Sequence, residues 1–180
     1  MFESRPSVTN VGCYELIYWG ECAAEFGRLL VSFIRSEGVH TLPNKIQILN
    51  PPGLGPAQGL YSQLTYVPPA TATYHIAGQL SVGKDGAVVG REDFATQFHQ
   101  VYANLGDVLS AVREGYDSII TMNTYLTDEN LVPEFMKLRT VLFAKIFAGP
   151  NYPPNTLLIV NRLVKSEFLI EVQAVAAKTS

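Results

Sequence analysis

The stretch from Pro153 to Ala177 constrains this chain most. It opens with Pro-Pro-Asn-Thr, continues through the apolar run Leu157 to Leu163, breaks over a few polar residues, and resumes at Phe168. Both runs are rich in branched apolar residues and bounded by Pro, Lys and Ser, so they read as two β-strands joined by a short turn. The second strand alternates. Side chains of a strand point to opposite faces in turn, so Phe168, Ile170, Val172, Ala174 and Ala176 share one face, and Leu169, Glu171, Gln173 and Val175 share the other. A carboxylate and an amide thus interrupt an apolar strand on the same side. That side is either the solvated face of a half-covered sheet or a wall that presents Glu171 to a cleft.

The preceding residues set the fold class. Leu60–Val67 and Thr71–Leu80 read as strands separated by Pro68-Pro69. From Asp93 to Arg113, Phe94, Phe98, Val101, Leu105, Val108 and Val112 step by three and four, the mark of an amphipathic helix, with Gly115 expected as its stop. Ser118–Thr127 reads as a strand. Pro133 opens a second helix, where its missing N–H costs nothing, and Phe135, Leu138, Leu142 and Ile146 are expected on its buried face. The order strand, strand, helix, strand, helix, strand, strand implies an α+β domain with two helices on one face of a mixed sheet.

Upstream, the breaker-rich Asn50-Pro51-Pro52-Gly53-Leu54-Gly55-Pro56 separates residues 1–50 from a main domain over 51–180. This loop lacks the Gly-Lys-Ser/Thr ending of a phosphate-binding loop. In the first segment Trp19, Cys22, Phe26, Leu29 and Phe33 recur at helical intervals, which predicts an amphipathic helix packed on the main domain or on a neighbouring subunit. Glu15, Glu21, Glu25, Arg28 and Arg35 interrupt it and argue against a membrane span. No basic segment precedes it, so a signal peptide is not expected.

Composition excludes several function classes. With 180 residues, of which 47% are hydrophobic, the chain can bury a substantial core in one domain. A formal net charge of −3 gives no footing for a nucleic-acid surface or a basic membrane patch. Cys13 and Cys22 fit no zinc or redox spacing and read as free thiols of a reducing, cytoplasmic compartment. His40, His75 and His99 are scattered, so no metal site is expected.

The pieces in order resemble the Rid family (RidA/YjgF-like proteins). The resemblance spans about Asn50 to Lys178. It rests on Gly59-Leu60-Tyr61-Ser62-Gln63, on Ala77-Gly78-Gln79 where the family has Ser-Gly-Gln, and on Gln97 through Asn104-Leu105. Val160-Asn161-Arg162-Leu163 and the closing Ile170-Glu171-Val172-Gln173-Ala174-Val175-Ala176 complete it. The resemblance implies a chorismate-mutase-like fold, a homotrimer, small-molecule sites in clefts between subunits, and hydrolysis of enamines or imines without a cofactor. It matches Tyr61 and Glu171 to the family's Tyr and Glu, so these are the expected catalytic residues. Asn155, Gln173, Gly78 and His75 are the expected substrate-binding residues.

One departure shapes the functional expectation. The family's substrate-binding Arg lies in a Pro-Ala-Arg-Ser run, and here the run is Pro153-Pro154-Asn155-Thr156. An amide supplies no charge to a carboxylate. Arg162, an odd number of residues along, belongs to the opposite strand face. Arg139 in the second helix could reach a cleft, but the surface, the usual place for an arginine, is the favoured expectation. Asn123 and Tyr125 share a strand face and could line the same cleft. The expected function is a divergent imine or enamine deaminase, or a proton-transfer isomerase or lyase, with altered specificity. The alternative is a non-catalytic ligand-binding trimer. The ribonuclease activity of some family members finds no support in the acidic balance.

Overall fold

The alternation at the C-terminus is realised in a strand that occupies the interior of a sheet. The computed structural model describes residues 44–179 apart from 56 and 58. Within these the order is β1 (Gln47–Leu49), β2 (Leu64–Tyr66), β3 (Ala70–Gln79), α1 (Phe94–Ala111), β4 (Ile119–Leu126), α2 (Val132–Ile146), β5 (Asn155–Ile159) and β6 (Ile170–Thr179), with 3-10 turns at Tyr116–Ser118 and Glu129–Leu131. Four strands form one sheet in the order β3-β6-β4-β5, and β1 pairs with β2 separately. β6 runs antiparallel to β3 and β4, whereas β5 runs parallel to β4. A parallel pair needs a crossover connection, and α2 supplies it. The α+β class therefore holds. The helix expected around Trp19, Cys22, Phe26, Leu29 and Phe33 lies outside the described residues. No helix among the described residues is long and apolar enough to cross a membrane.

Two expectations change. β5 and β6 are not joined by a short turn as neighbours, because β4 lies between them. The β4–α2–β5 crossover places β5 at the sheet edge, so residues 160–169 must carry the chain past β4 before β6 begins. The strand expected over 60–67 shortens to Leu64–Tyr66. Its first part is a turn, in which Tyr61 N–H donates to the Gly59 carbonyl (2.9 Å) and Ser62 N–H to the Tyr152 carbonyl (3.0 Å).

The core lies between the helices and one face of the sheet. Ile170, Val172, Ala174 and Ala176 of β6 are at most 1% exposed, as the alternation requires. They join Phe98, Val101, Leu105 and Leu109 of α1 and Phe135 and Phe143 of α2 in a single cluster. α1 starts where the Asp93 side chain accepts from Thr96 N–H (3.1 Å), an N-cap. Its end differs from expectation. Arg113, not Gly115, takes the left-handed conformation, at φ 62°. Glu114 N–H then donates to the Leu109 carbonyl (3.0 Å) and Arg113 N–H to the Ser110 carbonyl (3.0 Å), which closes the helix as a Schellman motif.

Two polar residues of α1 rivet the loops around the sheet. The fully buried Gln97 amide donates to the carbonyls of Gly90 (3.1 Å) and Glu167 (2.7 Å) and accepts from Leu169 N–H (2.8 Å). Asn104 Nδ2 donates to the carbonyls of Leu80 (2.8 Å) and Val82 (2.9 Å). Replacing Gln97 by Met would remove all three bonds at once, leaving the Gly90 carbonyl only its bond from Asp93 N–H. Urea unfolding of Gln97→Met is therefore expected to show a loss of roughly 2–3 kcal/mol. A loss under about 0.5 kcal/mol would mean that these backbone groups find other partners.

Candidate functional site

Because β6 is interior, its second face carries Glu171 and Gln173 onto the side of the sheet away from the helices. The ladder places Glu171 opposite Tyr125 and Gln173 opposite Asn123 on β4, while His75 on β3 stands opposite Val175. Gln173 Oε1 accepts from Asn123 Nδ2 and from the Tyr125 hydroxyl, both at 3.5 Å. Asn123 and Tyr125 thus share the expected face and flank Gln173. His75 is exposed on the same face.

Glu171 has a seat made for it. The β3–β6 register shifts between Ile76 and Gln79, and Gly78 lies within that irregularity. A Cβ built on Gly78 would stand 1.7 Å from Glu171 Oε1 and 2.6 Å from Cδ. The carboxylate therefore occupies the space a side chain at residue 78 would fill. That position removes part of its hydration, and the burial raises its pKa above the ordinary glutamate value of 4.5. A carboxylate so tuned holds and releases a proton closer to neutral pH.

The other expected residues lie on the helix-covered side of the sheet. Asn155, the first residue of β5, sits opposite Met122 in the ladder. Its Nδ2 donates to the hydroxyl of the buried Thr124 (3.1 Å). Asn155 and Tyr61 line one open cleft of about 480 Å³, together with Val132, Met136 and Arg139 of α2 and Leu157 of β5. Within one chain the structure therefore brings Tyr61 together with Asn155, and Glu171 together with Gly78 and Gln173. The sheet separates the two groups.

Arg139 is the residue sequence reasoning misplaced. It is 3% exposed, not on the surface. Phe135, Arg139 and Phe143 are the buried residues of α2, spaced four apart on one face of the helix. The guanidinium lies over the rings of Phe143 (4.6 Å to the centroid) and Phe135 (5.6 Å) and donates to the Leu60 carbonyl. Burial pulls its pKa below the ordinary arginine value. The spacing from Phe135 to Phe143 was the available signal, since the residue midway between two buried aromatics on a helix shares their face. Arg162 is exposed beyond β5.

The family model described as Endoribonuclease L-PSP matches residues 54–178. A RutC family protein of Pyrococcus horikoshii is 32% identical over 103 residues, covering 57% of this chain and 77% of that protein. Among solved structures, the Rid-family protein YyfB of Yersinia pestis, described as of unknown function, is 26% identical with a TM-score of 0.66, over 74% of this chain and 98% of that one. TdcF of E. coli, crystallised with bound serine, shares the fold at 23% identity and a TM-score of 0.54, over 72% of this chain and 94% of that one.

The Glu171 seat yields two predictions. Between the ordinary and the raised pKa the folded chain binds the carboxyl proton more tightly than the unfolded chain, so stability falls as pH rises through that window. Glu171→Gln should therefore melt above the parent at pH 7, with the advantage vanishing as pH drops through the carboxylate range. A pH-independent difference would contradict the burial argument. Gly78→Ala should displace the flexible Glu171 side chain while the fold survives. Carboxyl NMR titration would then find the Glu171 pKa back near 4.5, and an unchanged value would refute the seat.

Proposed function

This chain belongs to the Rid family, and from that membership and the geometry above we propose that it is a cofactor-independent enzyme that hydrolyses an imine or enamine of a small molecule. The carrying observation is the Glu171 carboxylate seated over Gly78 with its pKa raised by burial. Glu171 takes a proton from water as the water oxygen bonds to the imine carbon, and returns that proton to the nitrogen, giving a carbinolamine. Collapse of the carbinolamine releases ammonia and leaves a carbonyl compound. The Tyr61 hydroxyl positions the water or the ligand, while Gln173 and His75 border the Glu171 face.

The two half-sites on opposite faces of one sheet call for a second copy to complete them. In the proposed homotrimer, the Glu171, Gly78 and Gln173 face of one subunit meets the Tyr61 and Asn155 cleft of the next. The strand position that carries the family's charged anchor holds Asn155, so the site departs from the form that takes 2-aminoacrylate. Losing a desolvated charge pair costs about 2–5 kcal/mol.

Light scattering is expected to give a trimer, and a monomer would overturn the shared cleft. Imines generated in situ by an amino-acid oxidase should decay faster with the protein. Glu171→Gln should lower kcat/KM about 100-fold or more, the range of a general base. Turnover of 2-aminoacrylate supplied by a serine dehydratase should be slow, and fast turnover would sink the reading of Asn155. Decay no faster than in buffer across the panel would favour a ligand-binding trimer without catalysis.

A further inference from the structure

The Arg139 guanidinium is enclosed by protein. The residue is 3% exposed, and its Nε lies in the interior without a hydrogen-bond partner. The ion pairs among the described residues, Arg91–Glu167 and Lys178–Glu114, do not involve it. Its electrostatic neighbours are the phenols of Tyr102 and Tyr152. A buried charge without an opposite partner is costly, and an apolar side chain of similar volume fills such a space at less cost. What the arginine adds is reach and a fixed donor. A planar guanidinium stacked on aromatic rings keeps its N–H groups aimed in one direction. Here Nη2 donates to the Leu60 carbonyl.

That carbonyl belongs to the turn that carries Tyr61. Met136 and Arg139 stand three residues apart and so share one face of α2, and the turn lies across both. A Cβ built on Gly59 would stand 2.9 Å from Met136 Cε, so the backbone at residue 59 lies directly against the methionine. Leu60 follows with its carbonyl on Arg139. Beyond Tyr61, Ser62 N–H donates to the Tyr152 carbonyl (3.0 Å) and Gln63 N–H to Asn50 Oδ1 (3.0 Å). Tyr61 is thus tied on both flanks, and the bond from Arg139 ties the flank just ahead of it to α2.

We propose that Arg139 is a positioning residue for Tyr61: it clamps the Leu60 carbonyl to α2 and so sets where Tyr61 stands in the cleft, without touching the ligand itself. The effect on turnover rests on the enzyme reading above, whereas the clamp does not. A methionine at 139 would fill the same space but has no donor for the carbonyl. Misplacing an orienting group by about 1 Å can cost about 100-fold in rate even when the change is remote from the chemistry, so a clamp on the backbone beside Tyr61 bears on the reaction.

Amide hydrogen exchange of the full chain reads the clamp directly. In Arg139→Met the Tyr61 and Ser62 amides should exchange at least about tenfold faster than in the parent, while those of Val172 and Ala174 in β6 keep their rates. Unchanged rates at 61 and 62, or equal acceleration at all four, would overturn the proposal. Arg139→Lys keeps the charge but lacks the planar fork, and should fall between parent and methionine variant. It decides by the same comparison if Arg139→Met does not fold. In turnover of an imine generated by an amino-acid oxidase, Arg139→Met should lower kcat/KM about tenfold in the parent background but less than about twofold in Tyr61→Phe, because the two residues act as one unit. An equal loss in both backgrounds overturns the positioning role and leaves the enzyme reading standing. Faster exchange at 61 and 62 in a protein that turns over no imine upholds the clamp and refutes the enzyme reading.

Discussion

The side-chain amide of Gln97 holds this fold's least local connection. It lies fully buried at the start of α1 and saturates three backbone groups, at Gly90, Glu167 and Leu169. Leu169 is the residue before β6, so the amide fixes where the strand enters the sheet. A slip of one residue there would carry every apolar side chain of β6 to the outer face and Glu171 into the core. The order β3-β6-β4-β5 places that strand against two partners at once, so its register propagates to both. Asn104 repeats the device two turns along α1 by tying Leu80 and Val82.

Once β6 is fixed, the chemistry divides by face. Alternation sends Ile170, Val172, Ala174 and Ala176 into the core and leaves Glu171 and Gln173 outside it. The irregularity at Gly78 then gives the carboxylate a partly desolvated seat. On the other side, the β4–α2–β5 crossover sets Asn155 and Arg139 against the same cleft. A single protomer therefore carries an acid–base group on one face and donors on the other. Assembly is the step that can join them, and for that reason catalysis and oligomerisation are one proposal.

Residues 139 and 155 are best considered together. Asn155 puts an amide where the resembling family has a charge, while Arg139 puts a charge on α2, buried between Phe135 and Phe143. That charge stands on a different element and is almost fully enclosed by protein. The aromatic faces and the Leu60 carbonyl hold the guanidinium in a fixed plane.

Sequence alone determined the local elements, because their signals are local. The period of α1, Pro133 at the start of α2 and the alternation of β6 all follow from side-chain spacing, and the α+β class follows from their order. The clustered identities from Gly59 to Val175 identified the family. Tertiary structure decided which strands are neighbours, since the insertion of β4 between β5 and β6 depends on where α2 packs and not on the turn between the last two strands. It also decided that Arg139 is buried, because the rings of Phe135 and Phe143 and the Leu60 carbonyl converge on it from positions remote in the chain. The split of the candidate site across the sheet was likewise invisible in sequence. The pattern shows which face a residue takes on its own strand, but only pairing through the whole sheet decides which faces coincide.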